Sequence, residues 1–313
     1  MGISLFERTF TMSLFFIVFI LITLTNSCHC SRKLTSLYEP PPMSLSYHNG
    51  PLLEGDVHVS ILWYGQFTPP QQSIVSDFLL SLNPTHSSSS SPQPSVSKWW
   101  NLVQTYMKRA GKKETDIVLS NQTSDKNYSL GKILKKSHIT ELANKVINNS
   151  RPGGLTIVLT DKEVAVEGFC MSNCGFHGSN SKQNSAFIWV GNSVTQCPGQ
   201  CAWPFHQPIY GPQTTPLGAP NGDVGVDGMV VNIAGLLAGT ATNPFGNGYY
   251  AGSMEVGSVC TGVYGKGAYP GYAGELLVDS SSGASYNAVG VNRRKYLLPA
   301  LFDPLTSQCL TIV

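Results

Sequence analysis

The sequence predicts an α/β (α+β) protein, a single layered domain with a central mixed sheet, and three observations carry that expectation. Strand-like runs at Val57–Tyr64, Leu155–Leu159 and Ser185–Val190 alternate with helix-like runs, the order that places helices on a sheet. Met229 to Ala241 is apolar apart from Asn232 and the small residues Gly235, Gly239 and Thr240, which reads as a central helix buried on all sides. The connections between these runs are long, carry paired cysteines and hold many of the 31 glycines and 20 prolines. A large core with long, disulfide-stapled loops is therefore expected.

Taken in order, the chain opens with Arg8 ahead of an apolar run from Met12 to Leu24, followed by small residues at Thr25 to Ser27. That is the pattern of a secretory signal peptide over 1–30, cut between Ser27 and Cys30. The run is shorter than the roughly 20 residues that cross a bilayer, so no membrane span is expected after cleavage. Residues 31–46, with Pro40, Pro41 and Pro42, form an extended arm. The folded domain then occupies 47–313.

Within it, Val57–Tyr64 is a strand buried on at least one face. Pro69 and Pro70 start a helix that runs through Leu80 and stops at Asn83-Pro84. Five serines from Ser87 to Ser91 make a flexible loop. Trp99 and Trp100 sit at helical spacing in Lys98–Met107 and face the core. Lys108 to Lys136 is basic and solvent-facing, Ser137–Ile147 is a helix, and Leu155–Leu159 a strand. Gly168–Gly178 and Gln196–Pro220 are irregular loops around the cysteines. Asp227 is the expected N-cap of the buried helix, and Asn243 before Pro244 marks its end.

A formal charge of +2, with 42% hydrophobic and 12% charged residues, gives no basic face or reading motif for nucleic acid. Once Cys28 and Cys30 leave with the signal, Cys170, Cys174, Cys197, Cys201, Cys260 and Cys309 remain. In an exported chain an even set reads as three disulfides whose pairing stays open. The alternative is zinc, since His177 follows the first cysteine pair and His206 the second; the wide ligand spacing and oxidising exterior favour disulfides. Asn121, Asn127 and Asn148 head acceptor sequons for N-linked glycan. Asp161, Glu163 and Glu167 follow a strand without a partner motif and read as turn and surface residues. Tyr249, Tyr250, Tyr264, Tyr269 and Tyr272 lie among glycines, either to stack on sugar rings or to fill the room glycine leaves. No intact zinc, triad or nucleophile motif is present, so no catalytic residue, metal or cofactor is assigned.

Seven phrases carry a family resemblance: YHNGPLL at 47–53, ILWYG at 61–65, CPGQCAWPFH at 197–206, NGDVGVDGM at 221–229, TNPFGNGYY at 242–250, GAYPGYAG at 267–274 and YLLPALFDP at 296–304. Through them nearly the whole mature chain resembles the plant Exordium family, also called the phosphate-induced protein family. The resemblance implies a secreted apoplastic protein linked to cell expansion and to brassinosteroid and carbon status; with the signal peptide and sequons the expectation is a non-enzymatic glycoprotein promoting or regulating growth. It brings no established reaction. The implied partner is an extracellular protein or a cell-wall glycan; the alternative is a wall polysaccharide-binding protein or wall-acting enzyme. A shorter similarity, to secreted metallopeptidases, rests on Thr242-Asn243-Pro244 and on Glu255 before Cys260. Its metal-binding positions would fall on Gly235, Leu236 and Gly239, so it implies a degenerate zincin-like fold without its metal.

Overall fold

Five strands form the central sheet in the computed structural model, which describes residues 43–83, 94–147, 153–171, 173–180 and 182–313. They are β1 (Gly55–Tyr64), β2 (Thr115–Asp125), β3 (Leu155–Thr160), β4 (Gly175–Asn180) and β5 (Ser185–Gly191). Their order is β2-β1-β3-β5-β4; the first four are parallel and β4 runs antiparallel along β5. The expected mixed sheet is therefore present. Strands β3 and β5 are buried at every position, as apolar strands covered on both faces require.

Four helices cover the sheet: α1 (Pro69–Leu80), α2 (Val96–Arg109), α3 (Lys136–Ile147) and α4 (Val224–Thr242). Side chains alternate along β1, so Val59, Ile61 and Trp63 join Phe78, Trp100 and Leu237 in one core layer. Leu62 and Tyr64 point the other way, towards Leu142 of α3 and Trp189. Helix α1 begins with a capping box between Thr68 and Gln71, and α2 with Ser95 accepting from the Lys98 amide, which satisfies amides left free at helix starts. The two tryptophans are core residues, as expected: Trp99 Nε1 donates to the Pro299 carbonyl at 2.7 Å and Trp100 Nε1 to that of Thr115 at 3.0 Å.

Two strands lie where the sequence reads otherwise. The stretch read as a basic surface contains β2, whose first half packs Ile117 into the core while its second half is exposed. The glycine-rich cysteine loop contains β4, the opposite edge. Leu45, assigned to the arm, is buried, and Ser46–Tyr47 pairs with Tyr249–Tyr250. Residues 1–30, the arm up to Pro42, the serine run and Asn148 lie outside the described residues.

Helix α4 has 19 residues, long and apolar enough by composition to cross a bilayer, yet 78% of its most apolar window is buried in the protein. Its cap is Asp223, whose carboxylate accepts from the Val226 amide at 3.0 Å. This corrects the assignment to Asp227, which lies inside the first turn, buried, and accepts from the Asn221 backbone and side-chain amides at 2.8 and 2.6 Å. One face of α4 turns Val226, Met229, Val230, Ile233 and Leu237 into the sheet core. On another, Gly225, Gly228, Asn232, Gly235 and Gly239 recur three and four residues apart and so line up in one stripe.

That stripe is narrow because neighbouring side chains and backbone occupy the space. A methyl group at Gly225 would run into Asn192; at Gly228 it would lie 2.7 Å from Ala202 Cβ, at Gly235 3.2 Å from the Gly257 carbonyl, and at Gly239 2.8 Å from Glu255 Oε2. Helix propensity alone favours alanine over glycine by about 1 kcal/mol. Overpacking against backbone costs about 1–3 kcal/mol, and at position 228 the neighbour is the Ala202 backbone. Gly228→Ala is therefore expected to lower the urea midpoint despite its better helix propensity.

Burial pushes the Asp227 carboxyl up to about 6 from an ordinary 3.8, against the pull of its bonds from Asn221. Asp223 adds repulsion, and Tyr296 and Arg294 stand nearby. A raised native pKa contributes stability that is complete below about pH 4 and is lost as pH rises through about 6. The unfolding free energy of the wild type minus that of Asp227→Asn is expected to fall by about 3 kcal/mol between pH 4 and pH 7. Parallel denaturant titrations of the two proteins across that range measure it.

Candidate functional site

All six cysteines singled out in the sequence are bonded. The pairs are Cys170–Cys197 and Cys174–Cys201, each spanning 27 residues, and Cys260–Cys309, spanning 49. The first two lie side by side, with the sulfurs of Cys197 and Cys201 3.7 Å apart. They clamp a helical turn, Pro198–Cys201, onto the start of β4. Asn232 holds the same turn to α4, its amide donating to the Cys201 carbonyl at 2.8 Å and to that of Gly228 at 2.7 Å. His206 is exposed beside the Gln207 carbonyl.

Between this turn and the 255–262 segment lies a groove of about 310 Å³, floored by Asn232, Gly235 and Leu236 and flanked by Gly175, Trp203 and Glu255. Gln200, Trp203, Thr261 and Gly262 also line a wider basin of about 650 Å³, so the two are continuous. The basin is walled by Pro208, Ile209, Tyr210, Pro212, Tyr269 and Pro270. Tyr210 is 87% exposed and Tyr269 65%. Two glycines permit the walls to close in: Gly199 has the Gln207 carbonyl folded against it, and Gly271, at φ +90°, has Pro212 where a side chain would stand. Tyr269 and Tyr272 exchange backbone hydrogen bonds at 3.0 and 2.8 Å, with ring centres 5.1 Å apart. Ile209, Tyr210, Tyr269 and Tyr272 are thus large apolar residues left exposed around this basin.

Below the groove Glu255 joins Asn243 to His177, whose Nδ1 is buried with no hydrogen-bond partner among the described residues. Glu255 Oε1 accepts from Asn243 Nδ2 at 2.6 Å, and Oε2 lies 2.8 Å from His177 Nε2. Asn243 in turn accepts from the Gly248 amide at 2.7 Å. The zincin-like frame would place metal ligands and base at Gly235, Leu236 and Gly239. None of the three carries a donor atom, and the Gly257 carbonyl and Glu255 carboxylate stand where side chains at 235 and 239 would extend. These residues do not fit a zinc ion. Among the described residues no group of three or more His, Cys, Asp or Glu is placed to hold a metal.

The five tyrosines read as possible glycan contacts do not share a surface. Tyr269 belongs to the basin and Tyr272 stacks beside it. Tyr264 is buried beneath, its hydroxyl donating to the Trp203 carbonyl at 3.3 Å, and burial pushes its pKa far up. Tyr249 is 4% exposed and stacks on Tyr47, while Tyr250 stacks on His48 at 3.8 Å. Sequence reasoning passed over Trp203, Ile209 and Tyr210, whose signal is three bulky apolar residues in one proline-rich loop; Trp203 also packs against a small core of Phe205, Tyr264, Ala273 and Leu297. Asn121 and Asn127 are both exposed.

The carboxylates after β3 have structural partners. Asp161 accepts from the Gln66 amide at 2.6 Å, the Tyr128 hydroxyl at 2.7 Å and the Glu163 amide at 2.9 Å. It is buried between the ends of β1 and β3, so it is not the surface residue its position suggests. Desolvation and the Asp161 carboxylate push the Tyr128 hydroxyl up to about 12. Glu163 pairs with Lys132 at 2.5 Å, and Glu167 accepts from the Lys136 amide at 3.1 Å.

Fold and groove together define a disulfide-stapled α/β scaffold that presents an aromatic basin on its loop side. The chain belongs to the phosphate-induced protein family: the model of the Phosphate-induced protein 1 conserved region matches residues 45–312. It is 55% identical to Protein PHOSPHATE-INDUCED 1 of Nicotiana tabacum over 309 residues, covering 95% of this chain and 97% of that one. It is 51% identical to Protein EXORDIUM of Arabidopsis thaliana over 316 residues, covering 96% and 99%, and 53% identical to Protein EXORDIUM-like 1 of the same plant, covering 86% and 90%. No solved structure matches it.

The Cys260–Cys309 bond closes a long loop beside the basin, and such a bond typically contributes about 2–4 kcal/mol. Replacing both cysteines by serine is expected to lower the unfolding free energy by that amount, read from denaturant curves under non-reducing conditions.

Proposed function

We propose that this chain is a secreted glycoprotein of the plant apoplast that regulates cell expansion and growth, in step with brassinosteroid and carbon status, and that it acts by binding. The observation that carries this reading is the aromatic basin held open by disulfide-clamped turns. Disulfides belong to an oxidising compartment, and rigid loops around exposed rings suit recognition. The carboxylate nearest the groove, Glu255, has both oxygens engaged by Asn243 and His177, which suits a structural role better than proton transfer to a bound molecule. One relative is named PHOSPHATE-INDUCED 1, in keeping with a role tied to nutrient state.

A second reading makes the bound partner a wall polysaccharide. It is favoured by the exposed rings of Tyr210 and Tyr269 beside Trp203, since aromatic faces pack against the C–H faces of sugar rings. Purified secreted protein applied to elongating seedlings is expected to change their growth rate; an inert protein at every dose would refute the growth role. In calorimetry against neutral wall polysaccharides, Tyr210→Ala and Trp203→Ala are expected to weaken binding at least ~10-fold, about 1.4 kcal/mol. Tyr250→Ala, in the pair with Ser46 and outside the basin lining, should leave binding unchanged. A growth response without polysaccharide binding would assign the basin to a protein partner.

A further inference from the structure

The two halves of edge strand β2 are treated differently. At Thr115 the Gln104 side chain accepts from the backbone amide and donates to the backbone carbonyl, both at 2.9 Å. At Ile117 the Asn83 side chain does the same, at 3.0 and 2.8 Å. Two side-chain amides thus stand in for a neighbouring strand and block the edge against another chain. From Asn121 to Ser124 no described side chain performs this service.

Between these halves the pairing slips. Val59 faces Leu119 but Ser60 faces Asn121, so Ser120 is an extra residue. A bulge turns the following side chains to the other face of the sheet. Leu119 packs against the core layer that holds α1, α2 and α4; Asn121 and Thr123 instead line a groove of about 280 Å³ with Leu62 of β1 and Leu142, Lys145 and Val146 of α3. The bulge therefore aims the acceptor asparagine and its sequon threonine into the same depression.

We propose that Asn121 carries an N-linked oligosaccharide whose first N-acetylglucosamine lies in this groove and covers the open half of the edge. The inference rests on the reading that the chain is secreted, since the sugar donor is a polyprenyl-diphosphate-linked oligosaccharide met on entry to the secretory pathway. In the transfer, Asn121 Nδ2 forms a bond to C1 of the donor sugar and loses one proton. The C1–O bond breaks and the polyprenyl diphosphate leaves with the electron pair. Leu62, Leu142 and Val146 then offer an apolar floor to the acetyl methyl and one C–H face of the ring, while Asp125, Ser129 and Lys145 stand at the polar rim. Asn127 lies beyond the end of β2 and does not line the groove, so a sugar there would leave the edge open.

The test uses full-length protein secreted from plant cells. Glycopeptide mass spectrometry is expected to find Asn121 occupied. Hydrogen exchange at residues 121–124 should be slow in the glycosylated protein and in protein trimmed by an endoglycosidase to a single N-acetylglucosamine. It should be at least ~10-fold faster, with concentration-dependent self-association in sedimentation, after complete removal by an amidase. Asn121→Gln and Thr123→Ala should match the fully stripped protein, and Asn127→Gln should match the wild type. A bare Asn121 in a chain whose leader has been cleaved would overturn this inference alone, as would an occupied site whose stripping changes neither exchange nor association. An uncleaved leader would overturn it together with the reading that the chain is secreted.

Discussion

The close approach of loops to the glycine stripe of α4 is the constraint on which the rest of this structure depends. A helix with side chains all round would keep its neighbours 8–10 Å away, axis to axis. Here Asn192, Ala202, Gly257 and Glu255 each press against a glycine instead. The helix can therefore serve the sheet with one face and a layer of loops with another. Remove the stripe and the disulfide-clamped turn would have nothing to lie on, and the groove would lose its floor. The glycines cost helix stability, and burial of the opposite face, with Ile233, Leu237 and Ala241 fully enclosed, offsets it.

A second device holds the long C-terminal region, which has only short ladders of its own. Arg294 donates to Asp77 at 2.8 Å, to Ser73 at 3.1 Å and to Asn221 at 3.0 Å. Asn221 continues the chain of bonds to Asp227. A planar guanidinium can address three acceptors at once in a fixed geometry, and here they lie on α1 and at the entry to α4. Asn287 does similar work deeper in, donating to the Tyr264 and Leu298 carbonyls and accepting from the Leu298 amide. Irregular backbone survives burial because side-chain amides complete its hydrogen bonds.

Much of this fold was legible in the sequence, and the gaps have physical causes. Strands β3 and β5 and helix α4 announce themselves because elements covered on all sides must be continuously apolar. The edges do not: β4 reads GFHGSN and the second half of β2 reads SNQTSD, since a half-covered strand at the rim needs little apolar surface. Two aspartates four residues apart could each cap α4, and only the folded chain shows the first turn starting at Val224. An even set of cysteines implied three bonds, but two pairs with the same spacing could not reveal their partners. The candidate site was the least legible part. Its rings sit in loops without periodicity, and exposure, which separates Tyr210 and Tyr269 from Tyr249 and Tyr264, has no signature in composition.

The position of Asp161 has a wider consequence. In open sheets of this kind ligands settle beyond the carboxyl ends of the strands, where successive connections leave in opposite directions, and in this chain that place lies between β1 and β3. It is filled from within: a carboxylate of the protein takes the donors of Gln66, Tyr128 and Glu163, and Gly65 has no room for anything more. The molecule thus keeps one of its own carboxyl groups in the berth where a nucleotide or phosphate would otherwise dock. The exposed rings and prolines of the basin lie apart from that berth, around the disulfide-clamped turn that packs on α4.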